Sequence, residues 1–318
     1  MAQFLHSPEH YQTKFPLIHT YSIVACDPDA GEMGVAVQSH WFSVGSVVPW
    51  AEPGVGVVAT QAMANVGYGP MGLQYLRDGY SAKVTMAKLL SQDENARVRQ
   101  AAVMDVNGNI AVHTGEKCIA EAGHRAGTNY SVQANMMYKN TVWDAMAETF
   151  ESQKGSLAER MMYALEAAQQ TGGDIRGQQS AAMRIVKMEK METPGEGVLY
   201  DLRVEDHPTP LKELNRLINI QKAYQLMNTA DECISNADFV TAATLYEQAT
   251  ALAKNNIEIA FWRAIAMVET GKLDEALPIF RVIFHKDRHW AVLLLRLPAA
   301  GLFTADNEVL KQIIAQAE

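Results

Sequence analysis

In the first two thirds of this 318-residue chain, helix-patterned segments arrive in pairs between blocks of strand-patterned ones, and that order excludes most mixed architectures. A doubly wound parallel sheet alternates single helices with strands. Paired helices between antiparallel blocks instead call for two stacked sheets, each covered on its outer face. Residues 21–25 and 33–38 are apolar runs flanking Asp27-Pro28-Asp29-Ala30-Gly31, where Pro fixes φ and Gly admits positive φ. Residues 54–60 form a third run, rich in Val and Gly. Residues 99–106 and 109–113 flank Asn107-Gly108, a strong hairpin signal. A strand at 130–133 and two more at 180–186 and 197–204, the last pair joined by Pro194-Gly195-Glu196-Gly197, complete the set. The helix pairs are 71–77 with 81–90, where Ser81 is the N-cap, and 141–151 with 156–170, stopped by Thr171-Gly172-Gly173-Asp174. The strands lack clean alternation, as expected where both faces of a sheet are covered. The expected fold is α+β: a four-layer αββα sandwich over residues 20–205, preceded by a leader or propeptide at 1–19.

After Asp206-His207-Pro208-Thr209-Pro210 only helical patterning follows. Residues 206–220 read as a linker and residues 221–318 as an all-α helical repeat domain. Phe239, Ala242, Leu245, Tyr246 and Ala249 are matched 34 residues later by Leu273, Ala276, Ile279, Phe280 and Ile283. The alanines let neighbouring helices approach closely, and the large residues fill the seam. A weaker third copy runs through Leu310, Ile313 and Ile314. This segment resembles tetratricopeptide repeats, which implies recruitment of a protein partner on a concave face.

Composition narrows the partners. Acidic residues number 36 against 27 basic ones, for a net charge of −9, and no Lys/Arg cluster exceeds a pair. Neither nucleic acid nor an anionic membrane is an expected partner. No apolar run reaches the roughly 18 residues of a membrane span. The first twenty residues carry neither an apolar core segment nor a small-residue cleavage box, so they are not a secretory signal. Cys26, Cys118 and Cys233 are dispersed and read as reduced thiols of a cytoplasmic protein. His113, Cys118 and His124 match no compact zinc module. With no Lys-bearing glycine loop for phosphates and no dinucleotide fingerprint, neither metal nor cofactor is expected.

Thr20-Tyr21-Ser22-Ile23-Val24-Ala25-Cys26-Asp27 resembles the opening of the bacterial and archaeal domain of unknown function 1028 family, placed in the N-terminal-nucleophile (Ntn) hydrolase superfamily. The likeness continues through Gly34-Val35-Ala36-Val37, Val48-Pro49-Trp50-Ala51, Ala59-Thr60-Gln61-Ala62, His113-Thr114-Gly115, Ala122-Gly123-His124, Gln133-Ala134-Asn135-Met136 and the stretch 174–182, covering nearly all of residues 20–215. The resemblance implies an αββα fold and supplies no substrate. Superfamily relatives hydrolyse amide bonds with a Thr, Ser or Cys at the start of the first strand. The free α-amine of that residue titrates at about 7.7–8 and takes the proton from its own hydroxyl. The position-matched residue is Thr20. Many family members begin at that Thr after an initiator Met, whereas nineteen residues precede it here. While the His19–Thr20 bond is intact Thr20 has no amine to act as base, so the leader is cut, the mechanism differs, or the site is inactive. Ser22, two residues on and facing the same side of the strand, is the second candidate nucleophile.

Supporting groups are read from the loops. Arg176 offers a planar fork for a substrate carboxylate, or forms a structural ion pair with Asp174. Gln61, Asn65, Tyr68 and Asn135 either bind substrate and donate to an oxyanion, or satisfy buried backbone. Ser39-His40 is no dyad, since adjacent strand residues face opposite sides. His113 and His124 are possible general bases, although a lone His near a strand end is more often structural. The expected function is Ntn-type hydrolysis of a small amide or peptide by a homo-oligomeric protein. The alternative is a non-catalytic ligand-binding scaffold that recruits a partner through its helical repeat.

Overall fold

The computed structural model describes residues 17–193 and 195–317. The protein is mixed α/β, with two antiparallel sheets followed by a helical region. The first sheet contains β1 (Leu17–Ile18), β4 (Pro49–Glu52), β5 (Gly56–Met63), β6 (Arg99–Asp105) and β7 (Ile110–Thr114). Its order is β1-β5-β6-β7, with β4 also paired to β5. The second contains β2 (Thr20–Asp27), β3 (Glu32–Ser39), β8 (Gly123–Gly127), β9 (Tyr130–Ala134), β10 (Ser180–Lys187) and β11 (Val198–Val204), in the order β11-β10-β3-β2-β9-β8. Between β1 and β2 the chain passes from one sheet to the other, and Thr20 is the first residue of the second. Three strands escape the sequence pattern. β1 has two residues, β4 opens on a proline at the sheet edge, and Gly-His-Arg-Ala-Gly of β8 has no apolar run.

Side-chain direction repeats every second residue along a strand, and the packing follows that rule. Val24 and Cys26 of β2, Val35 and Val37 of β3, Val57 and Ala59 of β5, and Ala102 and Met104 of β6 belong to one buried cluster between the sheets. The opposite parity of the first sheet, Val58, Ala101 and Val103, packs on Tyr68, Leu73 and Leu76 of α1 (Tyr68–Arg77) and Met86 and Leu89 of α2 (Ala82–Ser91). α4 (Leu157–Gln170) packs on β2 and β3, and α3 (Val142–Ser152) on β8 and β9. Two of these helices start at caps. Ser81 accepts from the Val84 N–H, and Ser156 forms a capping box with Glu159. The β6–β7 turn is held by Asp105, whose Oδ1 accepts from the Asn107 and Asn109 amides, while Gly108 sits at φ 79.

One compact unit ends at Leu217 and a second begins at Ile218. The span 206–220, expected as a linker, is helical from Pro210, because α5 (Pro210–Ser235) starts there with the one residue whose missing N–H costs a first turn nothing. In the second unit α6 (Phe239–Leu252), α8 (Leu273–Lys286) and α10 (Asn307–Ile314) begin 34 residues apart. Between them lie α7 (Ile257–Glu269) and α9 (His289–Leu294). The paired positions Ala242 and Ala276, Tyr246 and Phe280, and Ala249 and Ile283 are all buried. No described helix is long and apolar enough to cross a membrane.

Candidate functional site

The apolar filling between the sheets gives way to polar side chains at the end where Thr20 begins β2. Thr20, Ser22, Gln61, Gln100, Gln133 and Asn135 are each fully buried. On β5 and β6, Gln61 and Gln100 have the same parity as Val57 and Ala59, and as Ala102 and Met104, so they face the second sheet. Buried amides need partners, and here they satisfy one another. Gln61 Nε2 donates to Gln100 Oε1 at 2.7 Å and Asn135 Nδ2 to the same oxygen at 2.9 Å. Ser22 Oγ donates to Gln61 Oε1 at 2.6 Å and accepts from Gln133 Nε2 at 2.6 Å. The Ser22 hydroxyl is thus closed in by two amides, with no titratable group among these partners to take its proton.

The same amides grip the main chain at Thr20. Its carbonyl accepts from Gln61 Nε2 at 3.3 Å and from the Asn135 N–H at 3.1 Å. Gln61 and Asn135 are each followed by a left-handed residue that is not glycine, Ala62 at φ 70 inside β5 and Met136 at φ 58 beyond the end of β9. Such backbone costs of order 1–3 kcal/mol and persists only where surrounding contacts hold it. The Thr20 hydroxyl donates to the Ile18 carbonyl at 2.8 Å.

On the other side of the His19–Thr20 peptide bond, the His19 carbonyl accepts from Ser39 Oγ at 2.5 Å and from Arg176 Nη2 at 2.9 Å. The register Thr20↔Ser39 across β2 and β3 places the serine there. Arg176 is oriented by Asp174, which is 2 % exposed. The guanidinium donates to both carboxylate oxygens, through Nε at 3.0 Å and Nη2 at 2.7 Å, and Asp174 also accepts from the Arg176 and His40 backbone amides. The ion pair with Asp174 is therefore formed, and its guanidinium has a further donor on the His19 carbonyl. The His19 ring, 2 % exposed, donates from Nδ1 to Asn135 Oδ1 at 2.7 Å. Burial is the main influence holding its pKa below 6.5, the Asn135 hydrogen bond opposes it, and the Arg176 charge adds to the depression.

Of the residues singled out from the sequence, the structure gathers Thr20, Ser22, Gln61, Asn135, Asp174 and Arg176 around this bond. Asn65 and Tyr68 belong elsewhere. Asn65 Nδ2 donates to Asp93, which is paired with the fully buried Arg99 at 2.8 Å, and Tyr68 feels the same carboxylate. His113 Nε2 meets the Ala96 carbonyl and His124 Nδ1 the Thr114 hydroxyl, so neither touches Thr20. His19, Gln100 and Gln133 lie outside the set of candidates read from the sequence, and Ser39 enters it only through the rejected pairing with His40. Parity alone points to Gln100, the polar exception on the inward face of β6, whereas Gln133 shares its face of β9 with the polar Ser131. Among the described residues no cluster of His, Cys, Asp and Glu has the makings of a metal site.

Two antiparallel sheets with a buried amide cluster at the start of β2 make this a mixed α/β protein. The model of the Family of unknown function (DUF1028) matches residues 20–214, and the chain belongs to that family. The match opens at Thr20. The chain is also similar to the crystal structure of a Silicibacter pomeroyi protein assigned to the same family, at 32% identity and a TM-score of 0.57, covering 63% of this chain and 84% of that one. No curated protein matches the chain significantly.

Proposed function

We propose that the first unit is an Ntn-type amidohydrolase, its two sheets and two helix pairs forming a four-layer αββα sandwich, with Thr20 as nucleophile after release of the leader. The observation that carries this reading is the pair of donors on the His19 carbonyl. Ser39 Oγ and Arg176 Nη2 converge on the oxygen of the one acyl group already joined to Thr20. Donors preset where negative charge develops are the most effective single aid to acyl transfer. Attack by Thr20 Oγ1 on the His19 carbonyl carbon puts that charge on the oxygen they hold. Collapse breaks the C–N bond, leaves the leader as an ester on Thr20, and delivers the proton given up by the Thr20 hydroxyl to the leaving nitrogen. Water then hydrolyses the ester, and the freed amine serves as base for later substrates, whose acyl oxygen takes the place of His19 O. Gln61 and Asn135 hold the Thr20 carbonyl and fix the residue through both events.

The test is the intact mass of the purified protein together with its N-terminal residue. A chain lacking residues 1–19 and beginning at Thr20, with Thr20→Ala blocking both that release and amide turnover, is the expected result. Release that proceeds unchanged in Thr20→Ala overturns the reading.

The second unit reads as a tetratricopeptide-like module for partner recruitment. What supports this is the 34-residue spacing of its helix starts together with a small pocket of about 120 Å³ lined by Phe239, Tyr246, Arg263 and Met267. Removing residues 221–318 should leave turnover intact and abolish partner capture, whereas a scaffold without catalysis would lose its whole function.

A further inference from the structure

The residues on the acyl side of Thr20 are seated as a bound peptide would be. Leu17 and Ile18 pair antiparallel with Met63 and Ala62 of β5. β4 pairs with β5 over Gly56 to Ala59 and stops short of this stretch, so β1 supplies the partner that β4 does not. Exposure changes residue by residue: Leu17 is 45% exposed, Ile18 is fully buried in the core between the sheets, and His19 is buried with its ring on Asn135. The carbonyls are held in turn, that of Ile18 by the Thr20 hydroxyl and that of His19 by Ser39 and Arg176. Main-chain pairing accepts any extended sequence, and the side-chain seats choose among them.

We propose that the lane along Ala62 and Met63, filled in the intact chain by residues 17–19, is the substrate's acyl-side site. Its ligand is an extended peptide that adds to β5 as a short strand. A branched apolar side chain takes the Ile18 seat, two residues before the cleaved bond, and a hydrogen-bond donor takes the His19 seat next to it. This rests on the reading of Thr20 as the reacting residue. It adds that the substrate is a peptide recognised through its backbone, not an isolated small amide.

The test is a binding measurement that needs no turnover, made on the full-length chain carrying Thr20→Ala. In that background Ile18→Asp puts a carboxylate in the apolar seat and releases the lane. The probe is a labelled hexapeptide with the sequence of residues 14–19, Lys-Phe-Pro-Leu-Ile-His. It should bind the released chain at least about tenfold tighter than the same peptide with Asp in place of Ile. It should bind the chain with an intact leader at least about tenfold more weakly, because the tethered segment competes at high effective concentration. Ile18→Ala, which empties the seat without charging it, serves if the aspartate variant does not fold. Equal affinity for the two peptides, equal affinity for chains with and without the released leader, or no binding by a folded released chain overturns the proposal. A reactive Thr20 with no peptide preference defeats the strand site alone. A selective lane beside an unreactive Thr20 defeats the hydrolase reading alone.

Discussion

Two buried polar clusters lie in the first unit, and they are built on opposite plans. Around Asp93 the cluster closes on itself: Arg99 supplies the balancing charge and also donates to the Met63 carbonyl, and Asn65 and the Asn95 amide complete the carboxylate's bonds. Around Thr20 the cluster consists largely of neutral amides whose hydrogen bonds end on the main chain at Thr20, with one ion pair, Asp174 and Arg176, reaching the carbonyl of His19. A closed cluster fixes a fold. A cluster that also spends donors on a carbonyl outside the family-matched region, that of His19, can hold a different carbonyl there instead. Polar burial alone therefore does not mark a site, and what sets the Thr20 cluster apart is the convergence of two donors on the His19 carbonyl.

The sharpest way to break this contrast is at Arg99. Replacing it with Met leaves Asp93 as a buried carboxylate without its counter-charge, and removal of one partner of a buried pair costs about 3–5 kcal/mol. Urea unfolding should register that loss, while leader release by whatever fraction remains folded should keep its rate. A stability loss below about 1 kcal/mol would mean the cluster is not structural.

Ser39→Ala should do the reverse. Its hydroxyl makes one neutral hydrogen bond, worth about 1 kcal/mol or less in stability. As a donor to a developing oxyanion it is worth about 10²–10³ in rate. The leader-release rate, followed by mass, and the urea midpoint together separate the two. A large stability loss with an unchanged rate would place Ser39 among the structural groups. Asn65→Ala is a smaller test on the other cluster. It should cost about 1 kcal/mol in urea and leave the release rate untouched; a change in rate would return Asn65 to the site.

Much of the fold was open to reading because it is local. The β2–β3 and β6–β7 hairpins are set by Pro28, Gly31 and Gly108, and the starts of α2 and α4 by Ser81 and Ser156. The site was less so, because it is assembled by pairing between strands far apart in sequence. Gln100 meets Asn135 only because β6 lies beside β5 in one sheet and β9 beside β2 in the other. Ser39 matters through its register opposite Thr20, not through its neighbour His40. Asn65 and Tyr68 follow Gln61 closely in sequence, yet β5 ends at Met63 between them, and the positive φ of Ala62 is announced by no residue pattern. Thr20 itself is an ordinary β-branched strand residue, and the resemblance to the family was needed to single it out.

The smallest expected effect uses pH to separate the clusters. His19 has its pKa lowered in the fold, chiefly by burial, with Asn135, Arg176 and Asp174 as the groups that face it. A histidine held neutral contributes fully above its unfolded value of about 6.5, and loses that contribution as pH falls through its folded value, because the unfolded chain binds the proton first. Asp93 is also displaced downward, to about 2; burial alone would raise it, and the hydrogen bonds from Arg99, Asn95 and Asn65 outweigh that. Its contribution is present above the unfolded value of about 3.9 and is lost as pH falls toward 2. Between pH 7 and 5, then, the leader should loosen while the Asp93 cluster stays intact. Hydrogen exchange, corrected for the intrinsic pH dependence of exchange, should show falling protection at Ile18 and Met63 over that range and constant protection at Ala101 and Val103. His19→Gln keeps an N–H for Asn135 and cannot titrate, so it should flatten the first response. If protection at Ile18 falls equally in that variant, the loosening belongs to another group, and the difference in titration between the two clusters disappears.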